Sequence, residues 1–288
     1  MKQLKWLIPL ACLVIFYVLQ SDVNHDQVES KSKAPALTSH HSETELDQKA
    51  EEYIFSSDVQ KTESEKSQTD QELVPGKEEK TIYLTFDDGP SSATTDILAA
   101  LSEFDAEATF FMLEPAMREF PGAIDEIVEE DHAVGLHGVT HDIHHFYKSE
   151  QSALEEMMTA QKTLQQMTGV QSSLIRTPYG SVPYLTESYR NVLDNEGFKV
   201  WDWNVDSDDW SLPGNQYVNA VIEQIEELFN AGETPIILLH DTQNTADHLP
   251  KLLTYLSEHA FQTKKIEEKI EPYHFNCYDR CYQLSVKK

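Results

Sequence analysis

From residue 80 onward the chain alternates between two patterns. Short runs of β-branched, aromatic and aliphatic residues at 81–86, 133–136, 173–175, 198–205 and 234–239 read as buried strands. Between them, apolar positions recur every three or four residues over 92–104, 122–131, 149–167, 186–196, 216–231 and 246–259, the spacing of amphipathic helices. Strand–helix alternation predicts a parallel sheet covered by helices, the α/β class. Polar residues with reactive side chains follow several strands rather than one reversal point, so an α/β barrel suits the pattern better than an open sheet. The region is long enough to bury one sizeable core.

Upstream the pattern changes. Lys2 and Lys5 precede an apolar run over 6–19, too short for a comfortable span and shaped like the hydrophobic part of an export signal. No small-x-small cleavage site follows, since Leu19-Gln20-Ser21 puts leucine in the wrong place. Cleavage at Cys12 would leave too little of the apolar run for a lipoprotein signal. Residues 1–21 therefore read as a signal-anchor or signal peptide, preferably a retained anchor that attaches the protein to the membrane. Residues 22–79 are rich in Ser, Glu, Lys, Gln, Thr and Asp with few apolar anchors, and read as a disordered tether with a weak helical pattern over 43–54. The main domain is expected over 80–265, followed by an extension, 266–288, to which the pattern assigns no role.

Charge narrows the partners. Fifty acidic against twenty-two basic residues give a formal net charge of −28. That excludes nucleic acid, which needs a basic footprint, and argues against binding driven by attraction to an anionic polymer. Three cysteines exclude a disulfide-dense scaffold. Cys277 and Cys281 suit a single bridge outside the cell better than a metal clip with His274.

The candidate chemistry lies just past the strand-like runs. Asp87-Asp88-Gly89-Pro90 follows 81–86, where the strand period relaxes and two carboxylates can reach one cavity; a turn with a helix cap is the plainer reading. His137 and His141 follow 133–136 at i and i+4, which puts both imidazoles on one side of a helical turn or tight loop. A solvated His-rich loop is the alternative, because His144 and His145 come next. Two His and one Asp make a three-ligand set with open positions, suited to Zn²⁺ and acceptable to Co²⁺, Mn²⁺ or Ni²⁺, and the Asp pair behind a strand favours this metal reading. Arg176-Thr177-Pro178-Tyr179-Gly180 follows the third run. A buried Arg176 beside Asp87 would favour its ionised form, and a stiff turn could aim a backbone N–H near Tyr179 at an oxyanion. Asp206-Ser207-Asp208-Asp209-Trp210 and His240-Asp241 complete the set, with Asp241 read as a cap of the following turn. Trp201 and Trp203 read as core.

With these five segments in this order, the chain resembles the polysaccharide deacetylases, the family-four carbohydrate esterases, over roughly residues 78–265. The resemblance implies an irregular (β/α) barrel of about seven parallel strands. It implies that Asp88, His137 and His141 bind the metal and that Asp87 is the general base, paired with Arg176. His240 would be the general acid beside Asp209. The Tyr179 amide would help hold the oxyanion, Trp210 would wall the pocket and Leu238 would line the site of the acetyl methyl. Two positions depart from the family pattern: Gly138, where a hydroxyl residue usually braces the loop, and Thr177, where proline is usual. The implied activity is metal-dependent removal of N-acetyl groups from N-acetylglucosamine in a wall or extracellular polysaccharide, with peptidoglycan favoured by the export signal. The alternatives are a chitin or O-acetyl (xylan-type) deacetylase and an inactive glycan-binding relative. The expected protein is a monomer on the outer face of the membrane or in the wall, or secreted if residues 1–21 are removed.

Overall fold

A computed structural model of the chain describes residues 80–284. The expected anchor and tether, 1–79, lie outside the described residues. Among those that are described, no helix is long and apolar enough to cross a membrane.

Strand β1 (Lys80–Asp87) is the axis of the sheet. Its last residues pair in parallel with β2 (Thr109–Met112) and with β7 (Ile236–His240). Its first four residues pair with β8 (Phe261–Lys264). Because Tyr83 pairs with both Ile236 and Lys264, β8 must lie on the edge that β2 takes over higher up. From β2 the sheet continues through β3 (Ala133–Leu136) and β4 (Leu174–Ile175) to β5 (Lys199–Val200); from β7 it continues to β6 (Val205–Asp206). Every pairing is parallel. Among the described residues no pairing joins β5 to β6, so the seven-strand path is a half-barrel and not a closed barrel.

The run at 198–205, expected as one strand, is two. β5 ends one edge of the sheet, β6 ends the other, and residues 201–204 cross between them. Its apolar pattern reflects burial of Trp201 in the crossing segment rather than continuous pairing. Two strands escaped the hydrophobic pattern for opposite reasons. Thr109-Phe110-Phe111-Met112 is fully buried but only four residues long, and Phe261-Gln262-Thr263-Lys264 buries only its phenylalanine.

The helices fall close to the predicted windows: α1 (Thr94–Glu103), α3 (Pro121–Glu129), α5 (Glu150–Thr168), α6 (Glu187–Asn195), α7 (Gln216–Asn230) and α8 (Gln243–Glu258). Two short helices, α2 (Glu114–Glu119) and α4 (Ile143–Phe146), were not foreseen. The boundaries of α5 have local causes: a reciprocal Ser149–Ser152 capping box opens it, and Gly169 in the left-handed region closes it. Helix α8 starts three residues before the periodic pattern because Thr242 caps it.

Alternation along β1 sorts the chemistry from the core. Ile82, Leu84 and Phe86 join the large cluster beneath the helices, while Tyr83 packs on a second cluster of Phe111, Leu174, Trp201, Ile236 and Ile266. Thr85 and Asp87, in phase with Tyr83, therefore face this inner side.

The extension past residue 265 has a definite course. Ile266 enters the inner cluster, the Asp202 N–H donates to the Tyr273 carbonyl (2.8 Å), and the Tyr282 N–H donates to the Pro183 carbonyl (2.9 Å). Cys277 and Cys281 form a disulfide. The segment thus lies against the crossing between β5 and β6 and against the loop after β4.

Candidate active site

Eight of the ten predicted site residues line one cavity of about 420 Å³: Asp87, Asp88, His137, His141, Tyr179, Trp210, Leu238 and His240. The other two, Arg176 and Asp209, stand behind it as partners of Asp87 and His240. The sheet register causes this convergence, since Asp87 and His240 are direct neighbours on β1 and β7.

Asp87 is 3 % exposed and Arg176 is fully buried. Arg176 Nη1 donates to Asp87 Oδ1 (2.8 Å) and to Thr85 Oγ1 (2.7 Å). Its other nitrogens donate to the carbonyls of Trp201 and Asp202, both at 3.2 Å. Burial raises the pKa of Asp87, and Arg176 and His240 oppose that rise without overcoming it. Arg176 was expected to keep this carboxylate in its ionised range. Desolvation at the floor of the site is the larger effect, and it makes Asp87 a more basic carboxylate.

On the other side of Asp87, three acceptor atoms converge. Asp88 Oδ1 lies 3.5 Å from His137 Nε2 and 3.4 Å from His141 Nε2. His137 Nδ1 is 2.7 Å from the Arg176 carbonyl and must donate to it, which leaves Nε2 with its lone pair free. Burial holds the His137 pKa down at about 3, so the ring is neutral. Among the described residues the buried Asp88 Oδ1 has no hydrogen-bond partner. A buried carboxylate oxygen facing a lone pair is costly unless a cation sits between them. These residues fit a divalent metal: one carboxylate and two imidazoles whose ligand atoms lie within 4.8 Å of one another.

The backbone here is strained. Asp88 (φ 71°), His141 (φ 47°) and Tyr179 (φ 65°) all lie in the left-handed region, which L-residues occupy only where surrounding structure imposes it. The loop after β1 is held by Asp241, which does not cap the turn after β7 as its position suggests. It accepts from the hydroxyls of Ser91 and Thr94, each at 2.7 Å. A Cβ at residue 89 would run into this carboxylate, so Gly89 is required.

His240 Nδ1 is 2.7 Å from Asp209 Oδ1, and the His240 N–H donates to Asp209 Oδ2 (2.8 Å). The Thr245 hydroxyl also donates to Oδ2, at 2.5 Å. Burial alone would depress the His240 pKa. The Asp209 hydrogen bond and charge, with the charges of Asp87 and Asp88, outweigh it and raise the pKa to about 9. His240 is therefore a protonated imidazolium at neutral pH, with Nε2 as its remaining donor.

Several contributors were missed. Trp201 is core as expected, but Trp203 lines the cavity, and its Nε1 donates to Asp206 Oδ2 (3.2 Å). Asp202, fully buried, accepts from the Ser181 N–H (2.9 Å), the Ser181 hydroxyl (2.5 Å) and the Phe275 N–H (2.7 Å). The C-terminal segment is thereby tied to the loop that presents Tyr179. No sequence pattern marks these contacts, which join residues up to 73 positions apart. Trp210 is 69 % exposed and Tyr179 54 %, so both form the rim of the cavity.

The site is thus an α/β half-barrel with a candidate three-ligand cation site, set between a buried Asp–Arg pair and an Asp–His pair. The family model for polysaccharide deacetylase matches residues 75–201. YheN of Bacillus subtilis (strain 168) is 46 % identical over 198 residues, covering 68 % of this chain and 70 % of YheN. A peptidoglycan-N-acetylglucosamine deacetylase of Bacillus cereus is 38 % identical over 198 residues, covering 67 % of this chain and 72 % of that protein. The crystal structure of the polysaccharide deacetylase Bc1974 from Bacillus cereus superposes with a TM-score of 0.62 at 36 % identity, over 68 % of this chain and 97 % of that one. The chain belongs to the polysaccharide deacetylase family.

Proposed function

We propose that the protein is a metal-dependent hydrolase that removes N-acetyl groups from N-acetylglucosamine residues of peptidoglycan, acting outside the cell. The observation that carries this reading is the cradle of Asp88, His137 and His141 set between Asp87 and His240. A bound divalent ion would polarise the acetyl carbonyl and lower the pKa of water. The chain's own residues do the rest. Asp87, fixed by Arg176, accepts a proton as the nucleophile attacks, and His240 gives one to the leaving nitrogen. The Tyr179 amide would help hold the oxyanion and Leu238 would line the space for the acetyl methyl, while Trp210, exposed at the rim of the same cavity, would offer its ring to a sugar face. Peptidoglycan is favoured because the Bacillus cereus relative is named for it and residues 1–21 read as an export anchor.

Incubation with matched N-acetylglucosamine oligomers, muropeptides and O-acetylated xylan, followed by product analysis, tests the substrate. Release of acetate from xylan alone would replace N- with O-deacetylation; no release from any of them would leave a glycan-binding relative.

The ligand assignment predicts that His141→Ala loses most of its bound metal, as read by metal analysis after loading and desalting. Full occupancy at wild-type affinity would reject it.

The His240–Asp209 pair predicts the alkaline limb of the pH–rate profile. An acid with a pKa raised to about 9 stays protonated below that pH and loses activity as pH rises through it. A metal cation would offset the Asp87 and Asp88 charges, placing the limb at or below 9. In Asp209→Asn the hydrogen-bonded charge is gone and burial dominates, so the limb moves to lower pH. An unmoved limb would show that another group titrates.

A further inference from the structure

We propose that Glu156 is a positioning residue for the metal-binding loop, holding His141 in its ligating conformation; this rests on the reading of Asp88, His137 and His141 as a metal site. Glu156 projects from α5, the helix that follows the metal-binding loop, and is 4 % exposed. Its carboxylate is spent entirely on the loop between the histidines and just beyond. Oε2 accepts from the Val139 N–H (2.9 Å) and the Thr140 N–H (3.0 Å). Oε1 accepts from the Thr140 hydroxyl (2.7 Å) and pairs with His145 Nδ1 (2.7 Å). Burial would raise its pKa, but these hydrogen bonds outweigh burial and lower it, so the carboxylate is ionised.

Gly138 makes this approach possible. Its φ is +89°, and a Cβ there would sit 3.0 Å from Glu156 Oε2. The carboxylate fills the space that a side chain at 138 would take. The bracing then passes to the ligand from both sides. Thr140 Oγ1, fixed by Glu156, accepts from the Asp142 N–H (3.2 Å). Asp142 in turn caps α4 by accepting from the N–H groups of His144 (2.8 Å) and His145 (2.9 Å). His141 lies between Thr140 and Asp142 with φ 47°, a conformation that persists only if its neighbours impose it. Without Glu156 two backbone N–H groups lose their acceptor, and the strained residue can relax away from Asp88 and His137.

The test is titration of the metal-free full chain with Co²⁺, following its visible absorption, alongside thermal melting of the metal-free protein. Glu156→Gln keeps the volume but cannot accept from both N–H groups, the Thr140 hydroxyl and His145 together. It should bind Co²⁺ about tenfold more weakly, the scale of lost outer-sphere support, while melting within a few degrees of wild type. Thr140→Val, which removes both the hydroxyl bond to Glu156 and the acceptor of the Asp142 N–H, should weaken Co²⁺ by a few-fold and keeps the proposal testable if Glu156→Gln does not fold. Wild-type Co²⁺ affinity and spectrum in the folded variants would overturn the positioning role. Failure of the wild-type chain itself to take up Co²⁺ would overturn the metal reading beneath it.

Discussion

Asp87→Asn and His240→Ala are each expected to lower kcat on N-acetylglucosamine oligomers by about two orders of magnitude or more, with metal content unchanged. Neither side chain belongs to the ligand cradle, so occupancy should survive. Asparagine at 87 still accepts from Arg176 but has lost the basicity that burial gives the carboxylate. Alanine at 240 removes the imidazolium that Asp209 holds protonated. The two losses separate on an activated aryl acetate, whose leaving group departs as an anion without needing a proton. There His240→Ala should fall far less than Asp87→Asn. Equal damage to both variants on amide and activated ester would refute the division of labour.

How far such a site can be read from sequence depends on where its determinants lie. Asp87, Asp88, His137, Arg176, Asp209 and His240 were legible because each lies just past an apolar run, and parallel strands bring their C-terminal ends to one side of the sheet. Their roles came from resemblance to a family, not from spacing. The fold was legible where strands are apolar and helices periodic. It was not legible at β8, whose residues after Phe261 are largely solvated, nor over 198–205, where one apolar pattern covers two strands on opposite edges of the sheet. Asp241 was misplaced because a carboxylate after a strand usually caps the next turn; its partners, Ser91 and Thr94, lie about 150 residues earlier. In the sequence Glu156 and Asp202 look like ordinary acids, one in a helical window and the other inside the strand-like run 198–205. Only the closed structure shows each accepting several bonds from functional loops.

The largest effect on stability is expected at Arg176. Its guanidinium has no exposed surface and serves four acceptors: the Asp87 carboxylate, the Thr85 hydroxyl and the carbonyls of Trp201 and Asp202. It also lies 4.3 Å from the centre of the Phe111 ring. Arg176→Met keeps much of the packing but leaves Asp87 buried without its cation, a change that costs about 3–5 kcal/mol. Urea denaturation of the metal-free proteins measures it, since a cation beside Asp88 would mask part of the unpaired charge. The double variant Arg176→Met with Asp87→Asn separates charge from packing. If the stranded carboxylate is the main cost, neutralising it should make the double variant more stable than Arg176→Met alone. Arg176→Lys should recover only part of the loss, because one ammonium cannot span acceptors on β1 and in the crossing segment together. A loss below about 1 kcal/mol for Arg176→Met, or a double variant no more stable than the single, would show that the ion pair does not hold this floor together. The Arg176 carbonyl also fixes the His137 tautomer, so one residue orients Asp87 through its side chain and His137 through its backbone. Methionine at 176 retains that carbonyl, and the variant should therefore lose stability and proton transfer well before it loses metal.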